Sequence, residues 1–251
     1  QKEAGLTKWN PMSILRHAAA VPISNHLLAA LPRKDYKRLE EHLQPVALEF
    51  GQVLHEPGGA IRYVYFPNDG AVSLVSIVSP QKGTEVGTVG SEGVVGISAA
   101  IGFDVSLTRA VVQGAGSAMK MLASRFRKEC TTNDRLNREL LRFSNAMMGQ
   151  AAQTAVCNRH HAVEARLARW LLVTRDRLAS NEFNRTHQFV ALMLGVRRVG
   201  VTLAASALEE RGLISYSRGN IRILDPKGLE QVSCECYKIV RSIYQGAPRS
   251  K

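Results

Sequence analysis

Between Thr186 and Leu224 the chain reads THQFVALMLGVRRVGVTLAASALEERGLISYSRGNIRIL, and few folds accommodate that order of signals. Thr186 is suited to cap a helix, its hydroxyl accepting from a backbone N–H of the first turn. Phe189, Val190, Leu192, Met193 and Leu194 give that helix an apolar side. Gly195 then permits a turn that a side chain would obstruct. A second helix is predicted from Val196 or Arg197, with Val201, Ala204, Ala205 and Leu208 spaced to pack inward. Its other face carries Arg198, Thr202 and Ser206, four residues apart and therefore aligned, with Arg197 beside them. Two short helices joined through glycine, the second starting with basic residues, follow the helix-turn-helix plan. The hairpin pattern after it, with Ser217-Arg218-Gly219-Asn220 at the tip and Gly-Asn suited to positive φ, makes the unit winged. A small helical bundle with a basic face is the alternative, and the paired arginines and the hairpin weigh against it.

The basic charge is concentrated around this unit. Of a formal net +12, residues 1–125 contribute 12 Lys/Arg against 10 Asp/Glu, whereas residues 126–251 contribute 21 against 11. An excess of +10 in one half suits a surface that displaces counterions from nucleic-acid phosphates. The 251 residues suffice for two cores, and 45% apolar with 22% charged residues is ordinary globular composition. No run approaches the roughly 18 apolar residues of a membrane helix. Ala18-Ala19-Ala20-Val21, broken by Pro22, makes no secretory signal, so a cytoplasmic location without a membrane partner is expected. The chain starts at Gln1, and Met12 suits a natural start. Residues 1–23 are therefore expected to be a tail, disordered or partly vector-derived.

Cys130, Cys157, Cys234 and Cys236 show no metal-ligand spacing, and Cys234 and Cys236 would point to different sides of a helix. Buried thiols in a reducing compartment are expected, a redox sensor being the alternative. No metal and no cofactor is expected.

Upstream, Asn25 to Leu43 reads as a short helix, a break at Pro32 and an amphipathic helix. From Pro45 to about residue 122, short β-branched and aromatic runs alternate with Gly, Pro, Asn and Asp, an all-β rhythm. Gly87, Gly90, Gly93 and Gly96 recur every third residue, which suits turns or close backbone approach. A long helix follows from about Asp134 to Asn158. Leu136, Leu140, Phe143, Met147, Ala151 and Thr154 lie on it at coiled-coil spacing, and Leu141, Met148, Ala152 and Ala155 form a second apolar edge. One edge can bury against the β-domain while the other pairs with a second subunit, the first being the expected dimer edge; two edges that both face one intramolecular core are the alternative. Asn158-Arg159 is expected to be a hinge, Val163–Leu178 a helix, 180–185 a polar loop, and Pro226–Tyr244 one final helix.

Three segments, RLARWLL (Arg166–Leu172), LGVRR (Leu194–Arg198) with LEERGLI (Leu208–Ile214), and GSEGVVG (Gly90–Gly96), resemble the Crp/Fnr family of bacterial transcription regulators. The resemblance covers about residues 24–230 and implies an α+β chain. Its parts are a double-stranded β-helix or jelly-roll of the cyclic-nucleotide-binding type (24–132), a long dimerisation helix (133–158) and a C-terminal winged helix-turn-helix (159–251). It implies a homodimer on a pseudo-palindromic operator in double-stranded DNA, with RNA polymerase as a further partner. The best-known members carry a glutamate, three residues later a serine or glycine, then an arginine; the matching positions here are Val199, Thr202 and Leu203. Those base readers are missing. Arg198, Thr202 and Val199 remain for base readout, and Arg197, Thr186, Gln188, Ser206 and Arg218 for phosphates.

The effector pocket departs further from the family. Glu92, Ile97, Thr108 and Arg109 fall where a cyclic nucleotide would be held, but the ribose-binding glutamate is replaced by Ile97, and the arginine–serine pair by Thr108-Arg109 in reversed order. Standard cyclic AMP binding is not expected, and the small-molecule effector is unknown. The alternative is a ligand-binding sensory module whose DNA binding depends on that ligand. Enzymatic chemistry on the β-domain is not expected, since His55 is the one histidine between residues 43 and 159 and a jelly-roll metal centre needs several ligands.

Overall fold

The interrupted apolar runs between residues 44 and 122 become antiparallel strands in the computed structural model, which describes residues 23–79 and 82–245. The tail expected over 1–23 lies outside these, apart from Ile23. One sheet has the order β1-β7-β3 (Gln44–Leu48, Gly116–Leu122, Tyr63–Pro67). The other has the order β2-β6-β4-β5 (Val53–His55, Arg109–Gly114, Ala71–Ser79, Lys82–Val89). Period-two alternation turns Val64 and Phe66 fully inward, with Val72, Val89 and Met121 from other strands. Phe66 meets Phe126 of α3 (Ala123–Thr132) edge-on at 5.7 Å. Asn25 caps α1 (His26–Ala29), and its amide donates to the carbonyls of Pro67 and Gly93. That ties the first helix to the glycine loop. Past Pro32 comes α2 (Arg33–Glu40).

The long helix is α4 (Asp134–His160), capped by Asn133, which accepts from the Leu136 N–H at 2.9 Å. Its orientation corrects the expected dimer edge. Leu136, Leu140, Phe143 and Thr154 are buried against this chain's own β-domain or its neighbours, with Met147 and Ala151 half-buried. The glycine loop explains the close approach: a Cβ at Gly93 would collide with the Phe143 ring. The edge left open is the second one, with Leu141 at 68% and Met148 at 67% exposure and Asn145, Ala152 and Ala155 between and beyond them. The helix breaks at His161 and Ala162, both extended, slightly later than expected.

Beyond the break, α5 (Val163–Leu178) buries Leu167, Trp170 and Leu171 in a second core that Val75 and Val111 of the β-sheet also join. The β2-β6-β4-β5 sheet thus has cores on both faces. Between sheet and helix runs a buried polar chain. Ser73 Oγ lies 2.6 Å from Glu85 Oε2 and 2.8 Å from Gln113 Oε1, and the Gln113 amide donates to Thr174 Oγ1 at 2.9 Å. One hydroxyl proton cannot serve both acceptors, so a protonated Glu85 donating to Ser73 completes the chain. Burial, opposed by Ser73 and by Arg169 and Arg177, raises the Glu85 pKa. The stability tied to that proton is full below the unfolded carboxyl value and is lost as pH rises through the raised folded value. Glu85→Gln is therefore expected to raise Tm at neutral pH. The gain should shrink as pH falls towards the ordinary carboxylate range, as thermal melts across a pH series would show.

Two further elements differ from the sequence reading. The polar loop 180–185 contains β8 (Glu182–Asn184), which pairs with the wing. The final helix is two, α8 (Pro226–Val232) and α9 (Cys236–Gln245), because Ser233 turns extended after Val232. The cysteines are corrected as well. Cys130 stays in the β-domain core, but Cys157, Cys234 and Cys236 converge with His161. The break at Ser233 takes Cys234 off the helix, so the helical argument that separated it from Cys236 does not apply.

Candidate nucleic-acid interface

Thr186 caps α6 (His187–Leu194) as expected, its hydroxyl accepting from the Phe189 N–H at 3.2 Å. Gly195 sits at φ 64°, and α7 (Arg198–Glu210) leaves at a bend of 106°. That angle is within the range of helix-turn-helix units. Val201, Ala204, Ala205 and Leu208 are buried, whereas Arg197, Arg198, Val199, Thr202, Leu203 and Ser206 are exposed on one face. Leu203 at 68% and Val199 at 61% exposure are apolar groups with no intramolecular reason to face water. No side chain caps the start of α7; the Gly200 N–H is taken by the Arg197 carbonyl at 2.9 Å, and the helix N-terminus before it suits an oxyanion.

The wing is the hairpin β9 (Ile214–Ser217) and β10 (Asn220–Ile223), with β8 on its other side. Ser217 pairs with Asn220, so the turn is Arg218-Gly219, at φ 49° and 89°. The positive-φ pair is therefore one residue earlier than the Gly-Asn expected, and Arg218 is carried exposed at the tip. Gln188 is exposed at the start of α6.

Several positioning residues were not visible in the spacing. His187 Nδ1 lies 3.0 Å from Thr202 Oγ1, and its ring stacks on Tyr216 at 4.0 Å. Thr202 donates to the Arg198 carbonyl, so it accepts from His187. Burial, and then the charge of Arg198, lower the His187 pKa, which keeps the imidazole neutral beside the arginine. Arg166 donates to the Leu194 carbonyl at the end of α6 and to Asn158 Oδ1. Arg185 donates to the Gln113 carbonyl and lies 4.2 Å above the Phe50 ring, and burial lowers its pKa to about 10. Arg166 lies in RLARWLL, but its partner is 28 residues away, so only the packed structure reveals the cap.

Of the four residues proposed for an effector, Glu92 is the one that lines the cavity beside α5. Glu92 is ion-paired with Arg177 of α5 at 2.7 Å and borders a cavity of ≈ 470 Å³ lined also by Tyr237 and Tyr244. Ile97 packs against the β-domain core, and Arg109 is held by Glu56 at 2.9 Å. Neither they nor Thr108 line that cavity. The cause is topological: Glu92 lies in the glycine loop facing α5, whereas Thr108 and Arg109 are at the start of β6.

Residues 165–232 match the model of the Crp-like helix-turn-helix domain. The C-terminal part of the chain is thus a Crp-like helix-turn-helix domain. Among solved structures, the chain is similar to a Crp/Fnr-family transcriptional regulator of Thermus thermophilus, at 20% identity and TM-score 0.64, covering 76% of this chain and 98% of that one. FixK2 of Bradyrhizobium japonicum is 16% identical, with TM-score 0.64 and coverage of 76% and 98%. The c-di-GMP-responsive regulator CLP of Xanthomonas campestris is 15% identical, with TM-score 0.64 and coverage of 76% and 99%. At such identities the likeness is one of fold. No curated protein matches the chain in sequence. Among the described residues no single helix is long and apolar enough to cross a membrane.

Proposed function

We propose that this regulator binds a two-fold symmetric DNA site as a homodimer, with α7 in the major groove and Arg218 of the wing on flanking backbone. The observation that carries this is the exposed face of α7, where Arg198, Val199, Thr202, Leu203 and Ser206 stand free of the core beneath. Arg198 can form a bidentate bond with guanine, Thr202 can hydrogen-bond a base edge, and Val199 and Leu203 suit thymine methyl groups. Arg197, Thr186, Gln188, Ser206 and Arg218 contact phosphates. The partner seam on α4 is Leu141, Asn145, Met148, Ala152 and Ala155, spaced in alternating steps of four and three. Promoter DNA, a second copy and RNA polymerase are the partners; the role is regulatory and not enzymatic.

DNA binding in this reading needs no cyclic nucleotide, since Ile97 offers no acceptor to a ribose hydroxyl and Arg109 is paired with Glu56. Selection of duplexes from random DNA, at moderate salt and without effector, tests it. Enrichment of a symmetric site supports the reading, and no binding even at low salt overturns it. A second reading, control by a small ligand, has the cavity beside Glu92 and Arg177 in its favour, because β-domain and C-terminal residues line it together. A selection that succeeds only with an added effector would favour it.

A further inference from the structure

Cys157, the last inward-facing residue of α4, and His161, just past its end, are four apart, so one helical turn brings them to the same side. Cys234 and Cys236 bracket the start of α9, and α9 lies back along α4, with Ile243 against Gly149 and the Tyr244 hydroxyl donating to Gln150 Oε1 at 2.8 Å. That return brings all four groups together. The three cysteines are buried, and the sulfurs and a His161 ring nitrogen all lie within 4.8 Å of one another. Cys157 Sγ is 3.5 Å from Cys234 Sγ, and Cys236 Sγ is 3.5 Å from His161 Nδ1. In a tetrahedral zinc site the corresponding edges are about 3.8 Å between sulfurs and about 3.6 Å from sulfur to nitrogen.

We propose that Cys157, His161, Cys234 and Cys236 bind one tetrahedral divalent metal ion of the zinc class, fastening α9 to the joint between α4 and α5. The surroundings match such a centre. With Nδ1 as the ligand, His161 Nε2 faces Glu235 Oε2 at 3.4 Å, the carboxylate–histidine arrangement that orients metal-bound imidazoles. Gln153 Nε2 donates to Cys236 Sγ at 3.0 Å. Three thiolates and a divalent cation leave one negative charge, which buried Arg166 and Arg169 beside Cys157 offset. None of the four ligands belongs to the DNA-reading face, so the site stands independently of the function proposed above. Its mechanical consequence is that the ion holds the C-terminal helix against the helix that carries the partner seam, at the point where the DNA-reading domain departs.

The test uses the full chain, purified untagged under reducing conditions without chelator, and elemental analysis. About one zinc per chain is expected, falling below about a tenth in Cys234→Ser and in Cys236→Ser, with Cys130→Ser unchanged. If the serine variants do not fold, the wild type still decides. Cobalt loaded into the reduced protein should give the ligand-field and thiolate charge-transfer bands of a tetrahedral thiolate site. Titration with a mercurial should release the metal as about three thiols react. No metal together with a Cys157–Cys234 disulfide, iron with acid-labile sulfide, or zinc retained after loss of both Cys234 and Cys236 would each overturn the proposal.

Discussion

Arg198→Ala is expected to weaken binding to the selected operator by about 1–3 kcal/mol, roughly 5- to 150-fold, and to flatten preference at one base pair of each half-site. The argument is geometric. Arg198 is the first residue of α7, exposed, and one turn before Thr202 on the same face. A guanidinium there can pair bidentately with guanine O6 and N7, a pattern no other base presents. Arg218→Ala at the wing tip is the contrasting case. A phosphate contact carries no sequence information, so its loss should lower affinity evenly across sequences and reduce the salt slope by about one. Binding isotherms on the selected site and its single-base variants, at several salt concentrations, separate the two. Even loss on every sequence for Arg198→Ala would reassign it to the backbone.

The second large effect concerns the two edges of α4. Phe143→Ala is expected to destabilise the chain by about 3–5 kcal/mol, because the ring is buried over Gly93 and its removal leaves a cavity in a packed contact. It should leave the oligomeric state of the folded protein unchanged. Leu141→Glu combined with Met148→Glu should do the reverse. Both side chains are about two-thirds exposed in the single chain, so the change costs the isolated fold little, but it sets like charges along the seam proposed to pair with a second copy. Sedimentation should show a dimer for Phe143→Ala and a monomer for the double variant, with operator affinity collapsing in the second because two half-sites can no longer be held together. A double variant that remains a dimer would place the seam elsewhere.

The dimer edge shows why pattern alone fell short. Both edges of α4 are apolar at helical spacing, and nothing in the order of residues says which one the β-domain claims. That choice follows from the glycine loop: without a side chain at Gly93, the helix can approach at Phe143, and the Leu136 edge is drawn inward. The glycine repeat was a legible signal of close approach, but not of what approached. The candidate effector residues show a related limit: pattern and family correspondence pointed to Glu92, Ile97, Thr108 and Arg109 along the chain, but not to the partners Arg177 and Glu56 that hold two of their charges.

What the sequence determined by itself is whatever rests on local periodicity and backbone preference. This includes the cap at Thr186, the turn at Gly195, the inward and outward faces of α7, the strand rhythm of the first domain and the basic excess of the second half. Those features depend on residues within a turn or two of one another, where the 3.6- and two-residue periods act directly. Only the tertiary structure decided what depends on distant segments: Arg166 capping α6, His187 holding Thr202, and the meeting of Cys157 and His161 with Cys234 and Cys236. The physical reason is that such groups become neighbours only after α6 packs on α5 and α7 and α9 folds back along α4, and packing of that kind leaves no fixed spacing in the chain.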